Sequence, residues 1–322
     1  MTHLTWGIVG AGRIAKQFAQ DIQYVSNAKL LAVAARDLKR AQEFADAHAI
    51  GTAYGSYAEL FNDQTIDAIY IATPHSFHFE QAKAAMLAGK HVLCEKPICV
   101  SSDEFSELAA VAKAQGVLLM EAMWTYFLPA LRQAKRWVDE GKIGQIKHIK
   151  ADFGYLAPYE PNSREYDAAL AGGSLLDVGI YPLALALFFS EQELSGLQVC
   201  ANLAENGVDD DVIITASSGD IKLSLASSFQ CWLENAAFIV GDKGRIVIPN
   251  FFAASQVHLY NEDKRLESFD DGRSSLGYDY EIQHFSQLVL NGAVDNDFES
   301  PVVSHKRSLI LQRQMEEIRA LF

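Results

Sequence analysis

Apolar positions in the first third of the chain fall into short runs separated by longer stretches of helical period. Residues 4–9, 30–35, 68–72 and 91–94 read as strands, and 14–24, 38–48, 77–88 and 102–115 as helices. Gly89 and Gly116 stand where the last two helices should stop. Strands alternating with crossover helices at this spacing predict a parallel sheet covered on both faces.

Past residue 117 the pattern changes. Residues 124–140 look helical up to Gly141, 146–155 alternate like a strand with one wetted face, and 173–189 read as an apolar helix. From about 197 to 269 short alternating runs dominate, among them 212–216, 222–229, 236–240 and 245–248, punctuated by Gly219, Gly241 and Gly244. That half is expected to form a mostly antiparallel sheet. Helices at 278–290 and 304–321 close the chain. The change of pattern divides it into two expected domains, 1–122 and 123–322.

Length agrees with that division, since 322 residues amount to about two domains at roughly 150 residues each. The net charge of -14 disfavours phosphate backbones and anionic lipid surfaces as partners, and no basic patch offsets it. The longest apolar run, residues 181–189, is under half of the roughly 20 residues that cross a bilayer, so no membrane span is expected. The start MTHLTWGIVG has no basic stretch ahead of an apolar core and runs straight into a strand, so a cytoplasmic protein is expected. Cys94, Cys99, Cys200 and Cys231 have no C-x-x-C spacing, which predicts reduced, partly buried thiols and neither a disulfide set nor a zinc site.

Candidate chemistry begins at Gly10-Ala11-Gly12-Arg13-Ile14-Ala15, a G-x-G-x-x-A run between the first strand and the first helix. The first Gly permits a tight turn, the second lets a pyrophosphate approach the backbone, and Ala15 lets helix and strand pack closely. The phosphates would lie at the helix amino end, around Arg13 and Ile14, where unpaired N–H groups and the helix dipole favour negative charge. On this reading 1–122 is expected to bind a dinucleotide, the alternative being a simple tight strand-to-helix turn with the same letters. The second strand ends in Ala35-Arg36-Asp37, with Arg40 one turn on. Arginine there suits a 2′-phosphate, which favours NADP, while Asp37 leaves NAD open as a ribose ligand or serves as the helix N-cap. Glu95-Lys96-Pro97 follows the strand at 91–94, placing a lysine at the carboxyl edge of the parallel sheet, where open α/β folds bind ligands. A lysine there can hydrogen-bond a hydroxyl being oxidised and stabilise a developing alkoxide, and Pro97 is a candidate for a cis bond.

Taken with Thr73-Pro74-His75, His78 and the run from Gly172 to Tyr181 (GGSLLDVGIY), these motifs resemble the glucose-fructose oxidoreductase, inositol dehydrogenase and MocA family. The resemblance covers essentially the whole chain. WGIV at 6–9, AVAARD at 32–37, YGSY at 54–57, LCEKP at 93–97 and MEAMWTYF at 120–127 point to its dihydrodiol dehydrogenase branch, also described as NADP-dependent D-xylose dehydrogenase. The resemblance implies an α/β Rossmann NAD(P)-binding domain over 1–122, followed over 123–322 by an α+β domain with a large, open-faced, mostly antiparallel sheet, and a homodimer formed through that open face. It implies that Thr73, Pro74 and His78 line the nicotinamide side and that Glu95 and Lys96 form its floor. His75 departs from the asparagine common at its position.

Asp177 and Tyr181 are four positions apart and would share a face of a helix. Many family members carry histidine where this chain has Tyr181, and the dihydrodiol dehydrogenase branch has tyrosine. An ordinary tyrosine pKa of about 10 must fall by roughly two to three units for it to act as a base near neutrality, which a nearby ammonium supplies. The expectation is that Tyr181 exchanges the substrate proton, Lys96 lowers its pKa and polarises the oxygen, and Asp177 orients the pair. In the alternative, Lys96 carries the proton and Tyr181 only hydrogen-bonds the substrate. Trp124 and Phe153 are candidates for an apolar wall around a sugar ring or cyclic diol. His75 and His78 form H-x-x-H without a third ligand nearby, so no metal is expected. The resulting expectation is an NADP-dependent dehydrogenase of a sugar or cyclic diol. An NAD-dependent inositol or polyol dehydrogenase, or a dinucleotide-sensing regulator without turnover, is the alternative.

Overall fold

The computed structural model describes residues 3–292 and 298–322. The chain forms two compact units, one of residues 1–124 with 274–309 and the other of 125–273 with 310–322.

In the first unit β1 (Leu4–Val9), α1 (Arg13–Asp21), β2 (Ala28–Ala34), α2 (Leu38–His48), β3 (Thr52–Tyr54), α3 (Tyr57–Asn62), β4 (Ala68–Ile71), α4 (His78–Leu87), β5 (His91–Glu95), α5 (Ser102–Gln115) and β6 (Leu119–Ala122) alternate. The strands form one sheet in the order β3-β2-β1-β4-β5-β6 with every pair parallel. Helices cover both faces of such a sheet, so β4 reads Ala-Ile-Tyr-Ile with all four residues buried. Strand order reverses between β1 and β4, and a doubly wound sheet opens its ligand crevice at the carboxyl ends of the strands flanking that reversal.

Beside the expected boundary at 122/123, the units divide after Trp124, and residues 274–309 pack with the first. The helix at Tyr278–Leu290 belongs to the first unit, because its buried Ile282 and Phe285 complete the core behind β1. Trp6 packs on Phe285 and Phe18 with ring centroids 4.9 and 5.5 Å away, and its indole N–H donates to Ser286 Oγ at 3.3 Å. The buried Asp21 carboxylate accepts the N–H groups of Leu276, Gly277 and Tyr278 at 2.8–3.0 Å, holding the amino end of that helix to the end of α1. Local periodicity reports a helix and not its distant partner, so the pattern alone left this helix with the second half.

The second unit opens with a correction. A helix was expected over 124–140, but a 3-10 turn covers Trp124–Phe127 and α6 runs Pro129–Asp139, since a proline is accommodated in the first helical turn. There follow β7 (Ile146–Gly154), a single π-helical turn (Leu175–Gly179) and α7 (Ile180–Ser190). The strands β8 (Ser195–Leu203), β9 (Asp209–Ser218), β10 (Ile221–Ser228), β11 (Ala237–Gly241), β12 (Arg245–Ile248), β13 (Gln256–Asn261) and β14 (Lys264–Asp270) come next, with α8 (Tyr278–Leu290) and α9 (His305–Arg319) after them. The sheet runs β14-β13-β12-β11-β7-β10-β9-β8 and is antiparallel except at β7/β10. Its strands alternate as expected of a sheet with one covered face: Val212, Ile214 and Ala216 of β9 are buried while Ile213 and Thr215 are exposed. The stretch Ala168–Ser190 is long and apolar enough by composition to cross a membrane, with a mean hydropathy of 1.6. Of its most apolar 18-residue window 83% is buried inside the protein, and the α7 part of it packs on β7 and β10.

Candidate active site

The phosphate loop has the geometry its glycines predict. Gly10 takes φ +99°, and a Cβ there would lie 2.8 Å from the Ala72 carbonyl, so a side chain would collide with the loop after β4. Gly12 is the N-cap of α1, no side chain caps that end, and a Cβ built on it meets nothing within 4 Å. The backbone is therefore open to a group of phosphate size at a nine-residue helix whose first turn carries no acid, with Arg13 exposed, Ile14 half-buried and Ala15 buried against the sheet. This arrangement fits a dinucleotide pyrophosphate.

The two arginines after β2 are exposed and face this loop differently. Arg40 Nη2 donates to the Ala11 carbonyl at 3.3 Å, fixing its guanidinium beside the glycine turn, while Arg36 lies 6.0 Å from the Phe77 ring centroid. The hydroxyl of Tyr57 feels both cations, although burial is the larger influence and pushes its pKa up. Asp37 is the N-cap of α2, its carboxylate accepting the Lys39 N–H at 2.9 Å.

At the carboxyl ends of β4 and β5, buried polar groups tie two loops together. His78 is fully enclosed, with Nε2 2.8 Å from the Thr73 carbonyl and Nδ1 2.8 Å from the Pro97 carbonyl. The Thr73-Pro74 loop is thereby fixed to the Glu95-Lys96-Pro97 segment, in which the Lys96–Pro97 bond is cis. Thr73 also hydrogen-bonds Gln81, and the buried His75 ring stands edge-on to His78 at 5.8 Å. Both nitrogens of His78 thus lie within hydrogen-bond distance of a carbonyl, one from each loop, and a neutral imidazole donates to one of them. Glu95 and Lys96 are buried, and Glu95 accepts the Tyr70 hydroxyl. Glu121 on β6 accepts the Ile98 N–H at 3.1 Å and the Ser308 hydroxyl at 2.7 Å. Burial raises the Glu121 carboxyl pKa, opposed by those two donors and the Lys96 ammonium.

In the second unit, the run from Gly172 to Tyr181 is shaped around Asp209. Gly173 has φ +125°, and a Cβ there would lie 2.3 Å from Asp209 Oδ1. Asp209 accepts the Leu175 N–H at 2.7 Å and the Ser174 hydroxyl at 3.0 Å, anchoring the π turn that carries Asp177. Gly179 closes against β10, where a Cβ would be 2.8 Å from Ser227 Oγ. The uniform helix expected at 173–189 is therefore a π turn followed by α7, a geometry frequent at functional sites. Asp177 and Tyr181 still address one strand. Tyr155 and Phe153, two residues apart on β7 and its extension, meet them in turn: the Tyr155 hydroxyl is 3.5 Å from Asp177 Oδ2, and the Phe153 ring is 5.6 Å from that of Tyr181. Arg164 Nη2 binds Asp177 Oδ1 at 2.9 Å.

The two rings expected to form an aromatic wall, Trp124 and Phe153, each stack on a neighbour. Trp124 stacks on Tyr278 at 4.6 Å within the first unit, whereas Phe153 stacks on Phe252 at 3.9 Å within the second. Each ring has one face taken by its own partner.

Two family models match the chain, one described as an oxidoreductase family with an NAD-binding Rossmann fold over residues 4–123, the other as the GFO/IDH/MocA C-terminal domain over 131–247. Among curated proteins, trans-1,2-dihydrobenzene-1,2-diol dehydrogenase of Mus musculus is 36% identical and that of Homo sapiens 35%, each alignment covering 98% of this chain and 96% of the relative. The chain belongs to the GFO/IDH/MocA oxidoreductase family. A 3-ketoreductase from Actinomadura kijaniata, solved with NADP and TDP-benzene, superposes with TM-score 0.86 at 26% identity, covering 99% of this chain and 98% of that one. An aldose-aldose oxidoreductase from Caulobacter crescentus shares the fold with TM-score 0.89 at 21% identity, over 99% and 97% of the two chains.

As a member of this family the chain is an oxidoreductase with a nicotinamide-dinucleotide fold. Several residues around its motifs were not singled out from the sequence. Arg164 lies in an aperiodic loop and gave no signal, and Phe252 follows Phe251 without a strand pattern. Tyr155 was legible, because it continues the period-two face of Phe153. Glu121 was legible too, as a charged residue inside an otherwise apolar buried strand.

Proposed function

We propose that this protein is an NADP-dependent dehydrogenase that moves hydride between nicotinamide and a carbinol carbon of a sugar or cyclic diol, of the D-xylose or trans-dihydrodiol type. Relatives named trans-1,2-dihydrobenzene-1,2-diol dehydrogenase, 34–36% identical over 98% of this chain, support the substrate class. The bond from Arg40 to the phosphate loop, with Arg36 nearby in sequence and Asp37 occupied as a cap, supports the 2′-phosphorylated cofactor. That the Actinomadura kijaniata ketoreductase was solved with NADP agrees.

The open backbone from Gly10 to Ile14 holds the pyrophosphate, Arg36 and Arg40 the 2′-phosphate, and the bonded loops of Thr73-Pro74, His75, His78 and Glu95 the nicotinamide side. When bound, the nicotinamide accepts or returns the hydride. Lys96 polarises the substrate oxygen, and Tyr181 takes up the hydroxyl proton as the carbinol becomes a carbonyl. Asp177, held between Arg164 and Tyr155, orients that transfer. Phe153 and Tyr181, backed by Phe252, give the substrate an apolar surface. The protein acts as a cytoplasmic homodimer, its open sheet face, with Ile213 half-exposed, covered by a second copy.

Initial rates of nicotinamide reduction across aldoses, inositols and trans-dihydrodiols, run with NADP and with NAD, test the proposal. NADP-linked turnover of D-xylose or a trans-dihydrodiol is expected. NAD-linked turnover of an inositol would overturn the assignment of Arg36 and Arg40, and binding without turnover would point to a sensor.

A further inference from the structure

Glu281, in the first turn of α8, is fully enclosed, and neither of its carboxyl oxygens has a hydrogen-bond partner. A carboxylate there would lose its hydration and gain no donor in return, which a protein avoids by keeping the proton on the acid. Its neighbours sharpen the point. Glu95, whose charge acts on Glu281, accepts the Tyr70 hydroxyl, and Glu121 accepts the Ile98 N–H and the Ser308 hydroxyl. Of these three buried carboxyls, Glu281 is the one with no donor.

The other groups around it do not neutralise a charge. Tyr70 from β4 and Tyr278 from α8 complete the electrostatic cluster as phenols. The helix packs on α1, the 3-10 turn Ile22–Tyr24, β1 and β2. Asp21 of α1 is committed to the backbone N–H groups at 276–278, and Lys16 of α1 and Lys29 of β2 are exposed to solvent. Burial, and then the charge of Glu95, push the Glu281 carboxyl well above its ordinary range.

We propose that Glu281 is a neutral carboxylic acid and a positioning residue for the Glu95-Lys96 segment. It carries the one proton of the Glu95/Glu281 pair, so that a single negative charge stands on Glu95, next to Lys96 in the chain. If Glu281 ionised, two carboxylates would repel each other across the sheet, and Glu95 would be driven from the Tyr70 hydroxyl that fixes it. The proton on Glu281 thus keeps the residue preceding Lys96 in place. The assignment rests on the enclosure of the carboxyl and is independent of which substrate the enzyme takes.

Infrared difference spectra of the full-length protein, wild type minus Glu281→Gln at pH 7, read the proton directly. Loss of the carbonyl stretch of a protonated carboxylic acid is expected, and loss of carboxylate stretches instead would overturn the proposal. Stability gives a second reading. An acid whose folded pKa lies above its ordinary 4.5 contributes stability that is complete below that value and is lost as pH rises towards the folded pKa. The Tm of Glu281→Gln relative to wild type should therefore climb between pH 5 and 8, and a constant difference would contradict the assignment. For the positioning role, the alkaline limb of the wild-type kcat profile should move up or vanish in Glu281→Gln with KM unchanged, and identical profiles would remove that role. Should Glu281→Gln fail to fold, wild type labelled with 13C-glutamate should still show a label-shifted protonated-carboxyl band at pH 7, and its absence would overturn the assignment.

Discussion

At the scale of single residues, the proposed chemistry depends on hydroxyl and charge more than on shape. Tyr181 is 8% exposed and packs by its ring on Phe153 and Phe252, so Tyr181→Phe keeps that packing and removes only the hydroxyl. We expect kcat to fall by about 10²–10⁴, the range of general acid–base catalysis, with the dinucleotide Kd unchanged; equal kcat values would take Tyr181 out of the proton transfer. Asp177 is buried with a carboxylate held by Arg164. Arg164→Met should destabilise the protein by about 1–2 kcal/mol, a charge-assisted bond discounted for the partly exposed guanidinium, and lower kcat more than it changes KM. A denaturation midpoint and kinetics of the variant check both parts, and no change in either would reduce Arg164 to a surface contact.

At the scale of elements, the site is set by turns that only certain residues permit. Gly173 combines a left-handed φ of +125° with a Cβ position 2.3 Å from Asp209 Oδ1, in a carboxylate fixed by two donors on its other oxygen. Gly207 also has a positive φ, +82°, but a Cβ there meets open space. Gly173→Ala should therefore cost at least about 2–3 kcal/mol and Gly207→Ala about 1 kcal/mol, read from urea unfolding; equal costs would contradict the packing against Asp209. These contrasts also mark what the sequence carries. The strand-helix alternation, the bounds of β1, α2, α5 and α8, and the glycine loop were legible because their periods and stop signals are local. The π turn was not, since a π and an α register produce the same apolar run, and the difference lies in Asp209, more than thirty positions away. Likewise the short β3 and α3 fall within a stretch, residues 49–67, too brief to establish a period.

For the whole molecule, the same limit decides the division into units. Nothing in the residues of α8 says that Asp21 will cap it or that Trp6 will pack on Phe285, so the helix was assigned with the second half although it completes the first. The family motifs, by contrast, are contiguous runs, and they lie at the ends of β1, β4 and β5 and along the run to α7. Cofactor choice is a property of the assembled first unit. Arg36→Ala should raise the KM for NADP by more than about tenfold and leave that for NAD within about twofold, whereas equal effects on both would mean that Arg36 does not read the 2′-phosphate. The central claim is that the buried Glu95-Lys96 segment serves hydride transfer on a carbinol and does not merely stabilise the fold. It is tested most directly by initial rates of NADP reduction with D-xylose or a trans-dihydrodiol, for wild type and Lys96→Met, alongside NADPH binding to each. Turnover in the wild type, lost in Lys96→Met while NADPH binding persists, is the predicted result; turnover that survives in Lys96→Met would contradict the account.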